Sequence, residues 1–331
     1  VTLAGTRITE TAPARNSIDD RYTVQYTLTT TGDYVLSIIM DTVTSPQYRW
    51  HIEGSPFSLT IVSSAAVPEE TEATGQGLVS TTAGEEASFV IQTRDEYGNI
   101  ETDLPVVGIG DRVVATAQHK QVPTEQVAVS ITRIANETVR YDATYVATYS
   151  GLYDVTILLN SFVVGSGPIE VEVRPAGTDA ASCVFDGPGV AGSTAGTPGI
   201  VQLQAKDQFG NSVPDEANDF FLRMFCHSGR CREEYDDDTP VAITDTDPER
   251  CAQAGDPCTD RFKSFAELDR EDYAGFYEGQ YYVEVAAVYV LRVDLGGLFV
   301  GTPSSVLVTI NPTGFDHDKS IAQGHGLIEG K

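Results

Sequence analysis

The sequence predicts an all-β protein built from tandem antiparallel β-sandwiches. A stretch over residues 82–99 returns at 194–211 with a constant offset of 112 residues, so the chain contains repeated units. No window shows the apolar stripe of a helix. Three tyrosine trios share the spacing 4 and 8: Tyr22, Tyr26 and Tyr34; Tyr141, Tyr145 and Tyr153; Tyr277, Tyr281 and Tyr289.

Each copy of the repeated stretch predicts a turn, a strand and a second turn. Ala83-Gly84 predicts a turn in which the glycine has positive φ. Residues 89–94 then alternate in the period-2 pattern of a half-buried strand. The strand ends at Asp-x-(Tyr/Phe)-Gly-Asn, at 95–99 and again at 207–211. There the aspartate accepts backbone hydrogen bonds, the glycine supplies a left-handed residue and the asparagine tolerates that conformation. We interpret these residues as structural.

The tyrosine trios predict the buried side of each sandwich. A tyrosine near a strand start often bonds its hydroxyl back to nearby backbone, the tyrosine corner of β-sandwiches. We therefore expect Tyr34, Tyr153 and Tyr289 in equivalent buried positions. A further shared feature precedes each final strand: Gly54-Ser55-Pro56-Phe57, Gly165-Ser166-Gly167-Pro168 and Gly301-Thr302-Pro303.

The order G-x-G, A-G, D-x-(Tyr/Phe)-G-N, Y-x-x-x-Y, G-x-Y and G-S-P-F resembles the filamin-type immunoglobulin-like repeat over nearly the whole chain. The resemblance implies a seven-stranded antiparallel sandwich in each repeat, with strands A to G. It also implies that partners add a β-strand beside strand C and pack between C and D. It does not fix the function, because such modules occur in intracellular actin cross-linkers and in cell-surface adhesion proteins.

The motifs divide the chain into four parts. Residues 1–63 are the C-terminal part of a repeat, with strand E at 21–28. Residues 64–175 are a complete repeat, with strand C at 111–117 and strand D at 125–133. Residues 176–311 are an enlarged repeat, with strand C at 218–225 and strand D at 261–268. Residues 312–331 begin a further repeat. Because the chain starts in mid-repeat, we expect a piece of a longer protein.

The connection between strands F and G of the first part is longer than in the other repeats and carries Tyr48, Trp50 and His51. We expect an extended hairpin there. Trp50, which is the chain's only tryptophan, either contacts a partner or packs against its own or the neighbouring repeat.

The third repeat contains an acidic insertion at about 226–260, which makes it 25 residues longer than the second. Four of the five cysteines lie there: Cys226, Cys231, Cys251 and Cys258. Three states are open for them: a zinc site, free thiols, or two disulfides. We favour Cys226–Cys231 with Cys251–Cys258, or a cross-pairing of the four, in an oxidising compartment. The spacing and the surrounding carboxylates disfavour zinc. Cys183 is expected to be free and buried.

Strand C supplies the candidate partner site, since an unpaired edge offers a row of backbone donors and acceptors. In the second repeat the site runs from Asp111 to Ala117, with Val113 and Val114 as side-chain contacts. In the third it covers Phe220, Phe221, Leu222 and Met224. The insertion starts directly after this strand, so it either covers or rebuilds the third repeat's edge, or it extends into solvent.

The remaining motifs predict no catalysis and no cofactor. The five histidines are scattered outside hydrolase and metalloprotease motifs, and Gly108-Ile109-Gly110 lacks the third glycine of a dinucleotide loop. The acidic insertion either binds a loose cation or is simply solvated. A net charge of −27 disfavours nucleic acid and anionic lipid as partners. Membrane attachment would need parts of the protein outside this sequence. Asn136-Glu137-Thr138 is a glycosylation sequon.

Two functions from different classes follow. The first is a non-enzymatic extracellular or cell-surface structural and adhesion protein, a rod of repeats that contacts protein partners or itself. The second is an intracellular cytoskeletal or ciliary scaffold that binds partner peptides. Disulfides and a glycosylated Asn136 favour the first, whereas reduced cysteines favour the second.

Overall fold

The computed structural model describes residues 2–4, 9–10, 14–15, 22–41, 49–101, 112–135, 138–214, 218–229, 260–261, 263–264 and 275–314. The chain forms two compact units, Val1–Arg174 and Pro175–Lys331. We call residues 1–63 repeat 1, residues 64–175 repeat 2 and residues 176–311 repeat 3. The predicted start of a further repeat, at 312–331, lies almost wholly outside the described residues.

Repeat 1 contributes one four-stranded antiparallel sheet in the order β2-β1-β5-β8 and two hairpins, β3-β4 and β6-β7. The hairpin β6-β7 is the predicted F–G extension, and it holds Trp50 with about half of its surface exposed. The strands are β1 (Thr2–Ala4), β2 (Thr9–Glu10), β3 (Ala14–Arg15), β4 (Tyr22–Thr23), β5 (Gly32–Ser37), β6 (Ile39–Asp41), β7 (Arg49–His51) and β8 (Phe57–Ile61).

Repeat 2 is a sandwich of two sheets, ordered β10-β18-β16-β12-β13 and β14-β15-β11-β9, with β17 paired to the end of β16. A single 3-10 turn, Gln76–Leu78, follows the first strand. The strands are β9 (Glu72–Thr74), β10 (Ser80–Thr82), β11 (Glu86–Gln92), β12 (Val113–His119), β13 (Gln126–Ala128), β14 (Ser130–Ala135), β15 (Val139–Val146), β16 (Gly151–Leu159), β17 (Phe162–Val163) and β18 (Ile169–Arg174).

Repeat 3 has the same plan, with sheets β20-β28-β26-β22-β23 and β19-β21-β25-β24 and with β27 on the end of β26. A short helix, α1 (Pro188–Ala191), replaces the 3-10 turn. The strands are β19 (Val184–Asp186), β20 (Ser193–Thr194), β21 (Gly199–Gln204), β22 (Phe220–Gly229), β23 (Asp260–Arg261), β24 (Lys263–Ser264), β25 (Phe276–Tyr281), β26 (Ala287–Leu295), β27 (Leu298–Phe299) and β28 (Val306–Asn311). The all-β prediction is confirmed.

The third tyrosine of each trio lies where the spacing predicts. Tyr34, Tyr153 and Tyr289 are at most 2% exposed. Each hydroxyl donates to the carbonyl four residues earlier, at 2.9, 3.0 and 2.9 Å. All three are therefore tyrosine corners, which fix the turn that precedes strand F.

Strand D crosses from one sheet to the other in both larger repeats. In repeat 2, β13 pairs with β12 of the first sheet, and β14 pairs with β15 of the second. In repeat 3, β23 pairs with β22 and β24 pairs with β25. A single strand D over 125–133 was the sequence expectation. The chain instead leaves one sheet after Ala128 and joins the other at Ser130, which closes one side of the sandwich.

The predicted strand E of repeat 1 is much shorter than expected. Only Tyr22–Thr23 is a strand, and it pairs with Ala14–Arg15. Tyr22 and Tyr26 are 64% and 41% exposed, whereas the matching tyrosines of repeats 2 and 3 are buried. In those repeats strand E (β15 and β25) pairs with strand B (β11 and β21) along its length. No described residue of repeat 1 forms such a strand.

Candidate interaction surface along strand C

The aspartate turn holds the start of its own repeat. Asp95 Oδ1 accepts the N–H groups of Tyr97 at 3.0 Å and Asn99 at 2.9 Å, and Oδ2 accepts the N–H of Ser64 at 3.0 Å. Burial is the largest single influence on the pKa of Asp95 and raises it. The hydrogen bonds from Asn99, Ser64 and Tyr97 together outweigh burial and hold the pKa below its ordinary value.

The G-x-G motif brings two backbone segments into close contact. A Cβ at Gly77 would lie 2.7 Å from the backbone N and O of Ser88 in β11, so only glycine fits there. The Gly77 carbonyl accepts the hydroxyl of the buried Tyr145 at 2.6 Å. Repeat 3 repeats this contact, with Tyr281 donating to the Gly189 carbonyl at 2.6 Å. Burial raises the pKa of both tyrosines to about 12.

The outer edge of strand C in repeat 2 is only partly covered. β12 pairs with strand F, which is β16, along its whole length. On its other side β13 pairs only with Thr116, Ala117 and Gln118. Within the described residues, no strand pairs with the outer side of Val113, Val114 and Ala115. The expected open edge is therefore restricted to the first three residues of β12.

Two hydrogen bonds show which backbone groups point outward at this edge. The Arg112 carbonyl accepts the N–H of Asn160 beyond the end of β16, while the N–H of His119 donates to the Glu125 carbonyl next to β13. In an antiparallel strand, alternate residues direct their N–H and C=O groups to opposite sides. Even-numbered residues therefore face strand F, and the N–H and C=O groups of Val113 and Ala115 face outward.

The side chains at this edge differ in what they offer a partner. Val114 is 38% exposed on the outer face of the sheet, and Val113 is half-buried against the core. Ala115 is buried. Asp111, which the sequence also placed in the site, lies outside the described residues.

In repeat 3 the predicted contact residues are mostly core residues, which corrects the sequence prediction. Phe220, Leu222 and Met224 are fully buried between the two sheets. Phe221 alternates with them, and so it lies on the outer side of β22. Phe225, also on that side, is stacked against the guanidinium of Arg292, 5.1 Å from its ring centre. Of the four named residues, only Phe221 faces outward.

The edges of strand C are covered at opposite ends in the two repeats. In repeat 3, β23 pairs with Phe221 and Leu222 near the beginning of β22. Among the described strands, Arg223–Phe225 then pairs only with β26, which is strand F of repeat 3. By the register with strand F, these residues match Thr116–Gln118, which are the covered positions of repeat 2. An added strand would therefore enter the two repeats at different points.

The last buried residue of strand C also differs between repeats 2 and 3. In repeat 2 it is His119, whose Nδ1 accepts the N–H groups of Gln121 at 3.1 Å and Val122 at 2.9 Å. The ring packs edge-on to Tyr153 with centroids 4.9 Å apart. Cys226 occupies the matching position in repeat 3, opposite Tyr289, and is 3% exposed. Sequence reasoning missed His119, because a lone histidine carries no motif.

Comparisons with known proteins agree with this architecture. Residues 65–170 match the family model of the Filamin/ABP280 repeat. The matched range covers β9 to β17 of repeat 2 and the start of β18. Filamin-C of Rattus norvegicus and filamin-C of Mus musculus are each 30% identical to the chain over 172 residues, which is 52% of this chain and 5% of filamin-C. The chain thus spans about one twentieth of the curated relatives that it matches.

The solved structures that the chain matches include an adhesin and a filamin domain. FdeC, an adhesin of Escherichia coli, is 14% identical with a TM-score of 0.45, covering 86% of this chain and 74% of that chain. The Lin-41 filamin domain is 17% identical with a TM-score of 0.26, covering 34% of this chain and 98% of that chain.

The filamin repeat is a structural, protein-interaction module.

The charged side chains near strand C of repeat 2 are paired with one another. Lys120, just after β12, lies 2.5 Å from Glu170 and 3.6 Å from Asp154. In the described part of the chain, no group of three or more acidic, histidine or cysteine side chains could hold a metal ion. Among these residues no helix has the length and hydropathy needed to cross a membrane.

The predicted modification sites lie largely outside the described residues. These are Asn136, Cys231, Cys251 and Cys258, together with most of the insertion. Cys183 is free and 2% exposed, as expected, and burial raises the pKa of its thiol. A buried thiol of raised pKa is unreactive.

Proposed function

We propose that this chain belongs to a non-enzymatic rod of filamin-type repeats that mediates protein-protein contacts at the cell surface or outside the cell. The observation that carries the proposal is the outer edge of β12, where no described strand pairs with Val113–Ala115 and the backbone groups of Val113 and Ala115 point away from strand F. A partner strand added there would satisfy these groups, as in other cases of β-strand addition. The partner is a protein segment in extended conformation, from another protein or another copy of the chain.

The strand-addition site is tested with Val113→Pro. Proline is tolerated at the first residue of an edge strand, and it removes the outward N–H of residue 113. Extended peptides are selected from a displayed random library against the full chain. Their affinity for Val113→Pro should fall about tenfold or more, since one main-chain hydrogen bond is lost and the proline ring blocks the approach.

The matched control is Val146→Thr, which alters an exposed side chain on the other sheet and should leave binding unchanged. Protection of the Val113 and Ala115 amides from hydrogen exchange should accompany binding. Peptides that bind Val113→Pro as tightly as the parent protein would place the contact elsewhere.

The surface location is supported by the cysteines of repeat 3. Cys226 is buried at the end of the core and adjoins the insertion that carries Cys231, Cys251 and Cys258. We propose the pairs Cys226–Cys231 and Cys251–Cys258, or a cross-pairing of these four, and a glycan on Asn136. Disulfides persist in oxidising compartments. Intact mass of the natural protein should rise by about 4 Da on reduction and fall on deglycosylation.

The second candidate is an intracellular cytoskeletal or ciliary scaffold, which the match to the filamin model and to filamin-C favours. The same mass measurement separates the two candidates. A mass that reduction and deglycosylation both leave unchanged would support the scaffold and remove the basis for a surface location.

The insertion of repeat 3 is proposed to restrict or change partner choice at β22. The insertion begins directly after β22, and at its C-terminal end β23 pairs with the beginning of β22. Both ends of the insertion therefore adjoin that strand, which supports the proposal. Deleting residues 233–257 should then expose the Arg223–Phe225 edge and change self-assembly or partner binding. Unchanged assembly would show that the insertion has no part in it.

A further inference from the structure

The side chain of Asn99 extends from repeat 2 to the main chain of repeat 1. Its Nδ2 donates to the Thr29 carbonyl at 2.7 Å, and its Oδ1 accepts the N–H of Thr31 at 3.1 Å. The two bonds join residues about 70 positions apart in the chain. One amide group thus binds a donor and an acceptor of the same turn, as a paired backbone segment would.

The conformation of the turn does not explain why this residue is asparagine. Gly98 takes the positive φ, at 79°, and Asn99 is not among the residues with positive φ. The sequence interpretation, that asparagine is present because it tolerates the left-handed conformation, is therefore wrong. The hydrogen bonds of the side chain provide the reason instead.

Both hydrogens and the oxygen of the Asn99 amide take part in hydrogen bonds. Its Nδ2 carries two hydrogens; one faces the Asp95 carboxylate, with Oδ2 at 2.9 Å, and the other faces the Thr29 carbonyl. Its Oδ1 accepts the Thr31 N–H. An aspartate would lose both donors, and an alanine would lose all three groups. Asparagine meets the requirement of its own turn and that of repeat 1 together.

The contact lies next to the tyrosine corner of repeat 1. Thr29 and Thr31 flank Thr30, whose carbonyl accepts the hydroxyl of Tyr34 in the tyrosine corner. On the repeat 2 side, the same Asp95 carboxylate binds the N–H of Ser64 in the linker between the repeats. The carboxylate and the amide therefore hold the linker and the preceding repeat at a single point.

We propose that Asp95 and Asn99 form a docking site for a preceding repeat, and that the site recognises the turn before strand F through its main chain alone. Because no side chain of Thr29 or Thr31 takes part in these two bonds, the site selects the shape of a tyrosine-corner turn and not its sequence. The two bonds fix the orientation of repeat 1 on repeat 2. The proposal is independent of the strand-addition site and of the cellular compartment.

The test is amide hydrogen exchange in the full chain, read residue by residue by NMR. In Asn99→Ala, the Thr31 amide should exchange about tenfold faster or more, which corresponds to the loss of one hydrogen bond of about 1.4 kcal/mol. The amides of Tyr97 and Gly98, which bond to Asp95, should remain protected. Residual dipolar couplings should show that repeats 1 and 2 no longer share one alignment.

The matched control is Asn211→Ala, which removes the same amide-to-carboxylate bond, from Asn211 Nδ2 to Asp207, within repeat 3. It should leave the Thr31 amide unchanged. A Thr31 amide that is equally protected in Asn99→Ala, or equally affected in Asn211→Ala, would overturn the proposal.

A measurement on the parent protein covers the case in which Asn99→Ala unfolds repeat 2. The hydrogen bond from Thr31 N–H to Asn99 Oδ1 should transmit a scalar coupling between the Thr31 nitrogen and the side-chain carbonyl carbon of Asn99. If that coupling is absent while couplings across the β5–β8 pairing are observed, the docking bond does not exist in solution.

Discussion

Replacing Tyr145 with phenylalanine removes one hydroxyl from the centre of repeat 2 and tests the role of the G-x-G motif. The hydroxyl donates to the Gly77 carbonyl at 2.6 Å and the residue is 3% exposed, so water cannot replace it. A lost hydrogen bond that leaves a buried acceptor unsatisfied costs about 1–3 kcal/mol. Since the ring stays in place, little of this cost comes from a cavity.

The ionisation of Tyr145 gives a separate prediction for alkaline pH. Burial raises its pKa from 10.0 to about 12, and a shift of that size corresponds to about 2–3 kcal/mol between the neutral and ionised forms. Because the pKa in the folded state is raised, this contribution is fully present below about pH 10 and is lost as the pH rises through about 12. Tyr145→Phe should therefore lose stability at neutral pH and should lack this part of the alkaline transition.

Native-state hydrogen exchange measures the effect in each repeat separately, which a global unfolding curve of several domains does not. Opening free energies at Phe89 and Ile91 in β11 should fall by about 1–3 kcal/mol. The matching amides in repeat 3, Val201 and Leu203, should not change. Equal losses in both repeats, or a loss below about 0.5 kcal/mol in β11, would refute the assignment of the hydroxyl.

Three further predictions concern repeat 2. Gly77→Ala places a Cβ 2.7 Å from the backbone of Ser88 and should destabilise the repeat by about 3 kcal/mol or more, which should appear as a lower melting temperature. An unchanged melting temperature would show that the Cβ is accommodated without a clash. His119→Ala removes the acceptor of two N–H groups and an edge-on aromatic contact, and should lower the unfolding free energy by about 2–4 kcal/mol. Hydrogen exchange at the Gln121 and Val122 amides should become faster. The control is Tyr149→Phe, at an exposed residue. The depressed pKa of Asp95 should contribute stability above about pH 4, and this stability should be lost as the pH falls through the folded-state pKa. In Asp95→Asn the unfolding free energy should therefore depend less on pH in the acidic range. An unchanged pH dependence would assign the loss of stability to other carboxylates.

The turns and the tyrosine corners could be predicted from the sequence because their causes are local. A positive φ at Gly98 and a hydroxyl bonded four residues back depend on neighbours in the chain, so repeated spacing is enough to find them. The two halves of strand D could not be separated in this way, because no local pattern tells a strand at which residue to change sheets.

The prediction of which side chains of strand C in repeat 3 face outward failed for a different reason. Residues 220–226, FFLRMFC, are nearly all apolar, so the period-2 pattern does not reveal which positions point inward. Only the register with strand F, where Cys226 lies opposite Tyr289, places Phe220, Leu222 and Met224 in the core. The Asn99 contact could not be predicted from the sequence either, because its partners lie in another repeat.

The crossing of strand D has a consequence for protein engineering. Repeat 3 carries its insertion between β22 and β23, yet β23 and β24 still join the same two sheets as β13 and β14 do in repeat 2. The connection between strands C and D can thus change length without loss of the sandwich, and loop-closure cost rises only slowly with length. The exposed turn at Thr124 in repeat 2 is accordingly a suitable point to graft a foreign epitope, a sensor domain or a cleavage site.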